Sequence, residues 1–243
     1  MPATLQTARI PPLTSNSQSP PLPTSPALIL HTGKYADDRL VVEAYTLEAG
    51  AVSFITRVSH GRAKARIPHT LFQPLALLEI TWPEQARTTL HKPQAARPLI
   101  VGHSIAAQPV KAALALFLAE FLRAVLRHEP PAPPVFHFCA HAVRWLNLVE
   151  GRPLGNVHLA ILVRLATLLG FRPTPEELSL TCPQQYQAVL PQLLRINLAN
   201  QHLYLFTRAQ RAEFLRQIQL YYSRHYPAFP ELKSAEVLTQ IFG

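Results

Sequence analysis

The chain has 243 residues, of which 48% are hydrophobic and 15% are charged. This length allows one large or two small domains, and the apolar content excludes a wholly disordered chain. Lysine and arginine number 23 against 14 acidic residues, a net charge of +9 that favours a polyanionic partner such as nucleic acid or an acidic membrane surface.

The cysteine content and the longest apolar run limit the protein class further. Cys139 and Cys182 are the two cysteines, too few for a disulfide framework or a four-thiolate zinc site. We therefore expect a reducing, cytoplasmic location, and we find no pattern of a signal peptide at the start. The run Ala112–Leu126 contains Glu120 and Arg123 and is shorter than a membrane span, so we interpret it as a core helix.

Residues 1–26 are predicted to be a disordered tail. They hold seven prolines, four serines and four threonines, with Arg9 as the only charge. A segment of this composition buries little apolar surface, so it does not offset the entropy of ordering. A proline-rich docking segment is the alternative interpretation.

Residues 27–104 are predicted to form a small β-barrel. Short apolar runs follow one another closely with no helical period, and Glu48–Gly50 suits the connection of a hairpin. Pro74 interrupts one run and indicates an edge or a bulge there. Five or six such strands favour an OB-fold. The runs are Ala27–Thr32, Arg39–Leu47, Ala51–Val58, Leu71–Trp82, Arg87–Lys92 and Arg97–His103.

Residues 105–243 are predicted to form an all-α domain of about six helices, which makes the whole chain an α+β protein with two domains. The period changes to that of a helix after Ser104. We expect Asn156 to cap the third helix, and Thr174 with Glu177 to form a capping box. The predicted helices are Gln108–Arg127, Val135–Val149, Val157–Leu169, one starting at Thr174, Thr207–His225 and Leu232–Phe242.

The usual catalytic patterns do not occur in the sequence. It has no GxGxxG, GxxxxGK[ST] or GxSxG pattern, and its only aspartates are Asp37 and Asp38. We therefore predict no catalytic residue, no cofactor and no metal. His137 and His141 share a helix face and could hold a metal, but Cys139 points away from both, and an ordinary exposed face is the preferred interpretation.

A basic stretch in the predicted barrel is the best candidate for a DNA-binding surface. The segment Arg57–His69 contains four cations and no acidic residue. Such a loop can hold phosphates without reading sequence, because charge attraction does not depend on the base. A solvated loop that happens to be basic is the alternative. The predicted DNA-binding residues are Lys34, Arg39, Arg57, Arg62, Lys64, Arg66 and Arg97.

The first long helix suggests a second binding site. Lys111, Arg123 and Arg127 lie beside its apolar face, which carries Phe117 and Phe121. A groove with an apolar floor and a cationic rim would suit an acidic peptide with a hydrophobic end. Ordinary surface charge is the alternative.

Several segments in the same order resemble the RecO recombination-mediator family. His31–Val42 is similar to the strand–turn–strand that opens these proteins, and Arg57 with Gly61–Arg66 is similar to their next loop. Further similar segments are Leu71–Ile80, Ala113–Leu122, Leu165–Pro173 and Phe229–Ser234. The resemblance runs from about 28 to 242, and its strength lies in the order and spacing of pieces that are weakly specific alone.

The resemblance implies an N-terminal OB-fold, a helical domain and a role in DNA repair. The implied activities are binding of single- and double-stranded DNA, annealing of complementary strands, and help in loading RecA onto DNA coated by single-strand-binding protein. The implied partners are RecR and the acidic C-terminal tail of single-strand-binding protein, in the cytoplasm at the nucleoid.

One departure from the family concerns zinc. Many members have four zinc-binding cysteines after the Leu-Gly-Phe helix, whereas the region Arg172–Gln185 offers only Cys182. We expect packing and helix caps to hold this loop instead.

Two rival functions remain open at this point. One is an adaptor that binds the tail of single-strand-binding protein through the helical domain and has little DNA affinity. The other is an enzyme, such as a nuclease, that lacks a recognisable motif.

Overall fold

A computed structural model describes residues 22–57, 67–83, 89–100 and 104–242. Most of the predicted tail lies outside these ranges. Its last residues do not belong to a tail, because Thr24–Pro26 already pair with strand β4 as part of strand β1.

Six strands form one sheet among the described residues of the N-terminal part, in agreement with the predicted five or six. Their hydrogen-bonded order is β5-β3-β2-β1-β4-β6, and the described residues show no pairing that closes the sheet into a barrel. Long antiparallel pairings join β1, β2 and β3, while β5 adds a short parallel pair to β3. The strands are Thr24–Ala36 (β1), Arg39–Thr46 (β2), Gly50–Arg57 (β3), Leu77–Thr81 (β4), Leu90–His91 (β5) and Ala95–Pro98 (β6).

The tight turn between β2 and β3 depends on Gly50. This residue has a φ of +68°, and a Cβ there would lie 2.6 Å from the Glu129 carbonyl oxygen. The Ala51 amide also donates to that oxygen, at 3.2 Å. The hairpin predicted at Glu48–Gly50 is therefore confirmed, and it packs directly against the chain that precedes the second long helix.

The predicted irregularity at Pro74 is a turn that leads into β4. Leu75 has a φ of 59° although it is not glycine, and its amide donates to the Ile29 carbonyl. Its side chain is buried, so packing holds a backbone conformation that leucine rarely adopts.

Nine helices occur in the described part of the C-terminal region. The five longest match predicted helices to within about two residues at each end. Three short helices, α1, α6 and α7, were not predicted. The helices are Ser104–Ala107 (α1), Pro109–Leu126 (α2), Pro133–Leu148 (α3), Val157–Leu168 (α4), Pro175–Ser179 (α5), Gln184–Gln187 (α6), Leu190–Leu193 (α7), Arg208–His225 (α8) and Lys233–Phe242 (α9).

The two faces of the sheet belong to different hydrophobic clusters. Ala27, Ile29 and Phe54 lie in the cluster enclosed by the sheet itself. Leu28 and Tyr45 point the other way and pack with α2, α3 and α4. Alternate residues of a strand point to opposite faces, so β1 and β2 serve both clusters and join the sheet firmly to the helices.

Two further predictions concern how helices begin. The capping boxes at Thr174 with Glu177 and at Thr207 with Gln210 are both present. Asn156 does not cap α4 with its side chain, contrary to the prediction. Its amide instead donates to the carbonyls of Gln201 and Tyr204, at 2.9 and 2.7 Å, because a later loop packs over the start of α4 and leaves those carbonyls buried.

Candidate nucleic-acid interface

Three of the predicted DNA-binding residues lie at the same end of the sheet, where β1 and β3 end and β2 begins. Arg39 and Arg57 are directly opposite each other on neighbouring strands and share a face of the sheet, whereas Lys34 pairs with Leu40, the next residue of β2, and so starts from the other face at the same end. Like charges placed opposite each other on a sheet repel. The three residues nevertheless place three positive charges at one corner of the sheet. We call Lys34, Arg39 and Arg57 the corner cations.

Two aspartates share that corner. Asp38 lies 3.7 Å from Arg39 and 3.6 Å from Arg57, and Asp37 lies 3.3 Å from Lys34. All five side chains are at least 43% exposed, so water screens the ion pairs and each is worth only about 0–1 kcal/mol. A phosphate can compete with pairs this weak, and the three cations outnumber the two carboxylates.

The basic segment after the corner is outside the described residues. Arg62, Lys64 and Arg66 follow Arg57 in the chain. Their role in DNA binding stays a prediction. The next described residue, Ile67, is buried in the cluster enclosed by the sheet.

Arg97 lies apart from the corner cations. It is on β6, at the opposite side of the sheet from β3. Its guanidinium donates to Glu79 at 2.6 Å, and this hydrogen bond lowers the pKa of Glu79. The structure therefore does not bring Arg97 together with Arg39 and Arg57.

The peptide groove expected on α2 is not formed, and this prediction is wrong in its geometry. Phe117 and Phe121 are completely buried in the helical core, so they cannot provide an open floor. The Lys111 ammonium is also inside, 2.7 Å from the Val149 carbonyl at the end of α3. Helical periodicity identified the apolar face correctly, but other helices cover it.

Arg123, another residue of the predicted groove, connects α2 with the sheet. Its guanidinium makes two hydrogen bonds to the Glu43 carboxylate on β2, at 2.6 and 2.7 Å. Burial opposes ionisation of Glu43, but the hydrogen bonds and charge of Arg123 outweigh it and lower the pKa of Glu43. Arg127 is the exposed member of the predicted set.

His31 is a neighbour of this ion pair that the sequence did not single out for chemistry. It lies opposite Glu43 in the pairing of β1 with β2. Burial and the Arg123 charge lower its pKa, while Glu43 acts in the opposite direction. The cross-strand register places it there, and register is not visible in one strand's pattern.

The histidine pair on α3 is placed as expected. His137 and His141 are exposed, and Cys139 is buried. Burial raises the pKa of the Cys139 thiol to about 12, which disfavours the thiolate that binds metals. Within the described ranges, no three histidine, cysteine or acidic side chains are grouped closely enough to hold a metal ion.

Polar side chains hold the loop after α4, the region where the resemblance noted above would place zinc-binding cysteines. The Gln187 amide donates to the carbonyls of Ser179 and Cys182, at 3.1 and 2.9 Å. The Gln217 amide, from α8, donates to the Thr181 carbonyl at 2.8 Å. The Thr174 capping box, which the sequence predicted, also stabilises this loop, whereas the hydrogen bonds from Gln187 and Gln217 were not predicted.

None of the helices in the described part of the chain combines the length and apolar content that crossing a bilayer requires.

Comparison with known proteins gives two matching family models. Recombination protein O N terminal matches residues 22–99, and Recombination protein O C terminal matches residues 106–177. The first covers the sheet with the corner cations, and the second covers α2 to α4 and the start of α5.

Relatives are similar over nearly their whole length. DNA repair protein RecO of Bacteroides fragilis is 35% identical over 236 residues, which cover 88% of this chain and 97% of that protein. The protein of the same name from Phocaeicola vulgatus is 31% identical, over 89% and 97%. That from Porphyromonas gingivalis is 30% identical, over 90% and 98%.

Proposed function

Since the chain belongs to the RecO family, we propose that it acts in DNA repair by binding single- and double-stranded DNA and annealing complementary strands. We further propose that it assists RecA loading on DNA coated by single-strand-binding protein. The names of its relatives support the role in DNA repair, and the corner cations on the sheet carry the proposal for DNA contact.

The mechanism follows from charge. Two DNA strands repel each other through their phosphates, and a protein that neutralises phosphates on both lowers that repulsion and permits pairing. The corner cations supply three charges at one end of β1, β2 and β3, and the segment with Arg62, Lys64 and Arg66 continues directly from Arg57. Arg97, which pairs with Glu79 on the neighbouring strand β4, is proposed to widen this surface.

The proposed partners are RecR and the acidic tail of single-strand-binding protein, on the strength of the family resemblance. The adaptor alternative, with little DNA affinity, relied on the α2 groove, whose floor is buried. Tail binding is therefore proposed without that set of residues. We propose that the protein binds DNA without cleaving it and that it is located at the nucleoid.

A salt titration tests the DNA contact. Fluorescence anisotropy with a labelled single strand gives the slope of log affinity against log salt, which is about −0.7 for each phosphate contact. We expect Arg39→Gln/Arg57→Gln to reduce the slope by about 1.4, and Arg62→Ala/Lys64→Ala/Arg66→Ala to reduce it by about 2.1. The lysine variant Arg39→Lys/Arg57→Lys keeps the charge and should keep the slope.

A matched control removes equal charge elsewhere. Arg144 and Arg152 are exposed and have no carboxylate partner among the described residues. Arg144→Gln/Arg152→Gln should leave the slope unchanged. The corner cations are not the contact surface if Arg39→Gln/Arg57→Gln changes the slope no more than Arg144→Gln/Arg152→Gln does. Incubation of labelled DNA with protein and a divalent metal should leave the DNA intact.

A further inference from the structure

A cleft of about 340 Å³ lies on the helical region. One wall is α4 with the loop after it, which contribute Arg164 and Arg172. The other is the segment after α7, which contributes Leu194, Ile196 and Asn197. None of the predicted DNA-binding residues lines this cleft.

Its two arginines have charges that no acidic side chain among the described residues neutralises. Arg164 and Arg172 are both exposed, and neither has a carboxylate partner in the part of the chain that the structure describes. Arg97, Arg123 and Arg216 differ, since each donates to a glutamate at 2.6 or 2.7 Å. The arginines of the cleft therefore keep their donors available for a bound anion.

The walls of the cleft are held in place before any ligand binds. Gly170, with a φ of +91°, ends α4, and the Phe171 amide returns to the Ala166 carbonyl at 3.0 Å. Opposite, the Asn197 side chain accepts from the amides of Ala199 and Asn200, at 2.9 and 3.0 Å. A site that is already ordered loses less entropy on binding.

We infer that this cleft binds phosphate groups of a nucleic-acid strand, as a second contact region separate from the corner cations. The planar guanidinium matches a phosphate with two parallel hydrogen bonds, and arginine is favoured where such recognition matters. Two guanidinium groups along one wall, on α4 and on the loop after it, suit a ligand that carries repeated anions. The inference rests on the proposed function and adds a place on the helical region where the strand is held.

The position of the cleft gives this contact a use in annealing. Helix α4 packs mainly against α3, α7 and α8, whereas β1 packs mainly against α2 and α3. A strand bound at the cleft is thus held by a different part of the molecule from one bound at the corner. Two separate phosphate sites allow one protein to hold two segments of DNA at once.

The experiment compares Arg164→Gln/Arg172→Gln with the Arg144→Gln/Arg152→Gln control, using the full chain and a labelled single-stranded oligonucleotide. The slope of log affinity against log salt should become shallower by about 1.4 in the cleft variant and stay at the wild-type value in the control. Unchanged thermal unfolding shows that both variants are folded, as expected for exposed side chains that have no carboxylate partner among the described residues.

The outcomes separate this inference from the proposed function. If the wild type binds with a steep salt slope that the cleft variant shares, the cleft is not a phosphate site while the proposed function stands. If the wild type shows no salt-dependent binding, both fail. If the cleft variant keeps its DNA slope but loses binding of a peptide with an acidic carboxyl end, the ligand is a carboxylate and the inference is overturned.

Discussion

Replacing Lys111 by methionine tests whether this residue is structural or belongs to a peptide-binding rim. The side chain is 1% exposed, and its ammonium donates to the Val149 carbonyl at 2.7 Å and to the Asn147 carbonyl at 3.5 Å. Carbonyls at the end of a helix lack partners within the helix, and a cation there also interacts favourably with the helix dipole. Lys111 thus joins the first turn of α2 to the end of α3.

The expected loss of stability arises because Lys111→Met leaves these carbonyls buried without the ammonium as a hydrogen-bond donor. Methionine keeps the packing of the aliphatic stem and removes the cost of burying a charge, but it donates no hydrogen bond. A hydrogen bond to a charged group contributes about 1.5–3 kcal/mol, so we expect Lys111→Met to lower the free energy of unfolding by about 2 kcal/mol. At roughly 2–4 °C for each kcal/mol in a protein of this size, the melting temperature should fall by about 4–8 °C.

Urea denaturation followed by circular dichroism measures this effect. Arg144→Met, on the exposed side of α3, is the control and should stay within about 0.5 kcal/mol of wild type. The structural role of Lys111 is refuted if Lys111→Met is as stable as the control. Loss of acidic-peptide binding with unchanged stability would instead restore the rim interpretation.

Three further changes test the junction and the local structure by thermal unfolding. Glu43→Gln breaks the ion pair with Arg123 and should cost about 1 kcal/mol at neutral pH, given its partial exposure. The pKa of Glu43 is lowered in the folded protein, so the stability from its charge is present above the ordinary carboxyl pKa and is lost as pH falls through the lowered value. The difference in stability between Glu43→Gln and wild type should therefore shrink in acid. A difference that stays constant with pH would contradict this. Gly50→Ala should cost about 3–5 kcal/mol, since its Cβ would meet the Glu129 carbonyl in a strained backbone, and wild-type stability would contradict the observed turn. Thr207→Ala should cost about 1 kcal/mol through loss of the α8 cap, whereas Thr207→Ser should cost little.

Local patterns in the sequence predicted most of the elements. The five longest helices and the β2–β3 hairpin have periodicity or turn residues that depend on near neighbours alone. The short helices α6 and α7 were missed because four residues show no period. Leu75 shows the same limit, since its positive φ is imposed by packing against β1 and leucine gives no sign of it.

The candidate site was harder to predict from the sequence, because it depends on contacts between distant segments. Composition identified the basic character of Lys34, Arg39 and Arg57, but the pairing of the two arginines with Asp38 requires the strand register. Lys111 is similar: helix periodicity placed it beside an apolar face, and only the packing of α3 shows that its charge is inside. A sequence pattern does not show where the charged end of a long amphipathic side chain lies, since the stem can be buried whether that end is inside or exposed.

A strand-annealing assay tests the proposed function in one step. Complementary strands coated with single-strand-binding protein are mixed with the wild-type chain, with and without RecR, and duplex formation is followed over time. We predict that the wild type accelerates annealing, that Arg39→Gln/Arg57→Gln is slower, and that Arg144→Gln/Arg152→Gln matches wild type. No acceleration by the wild-type chain, with or without RecR, would contradict the proposed function, and equal rates for both variants would contradict the role of the sheet corner.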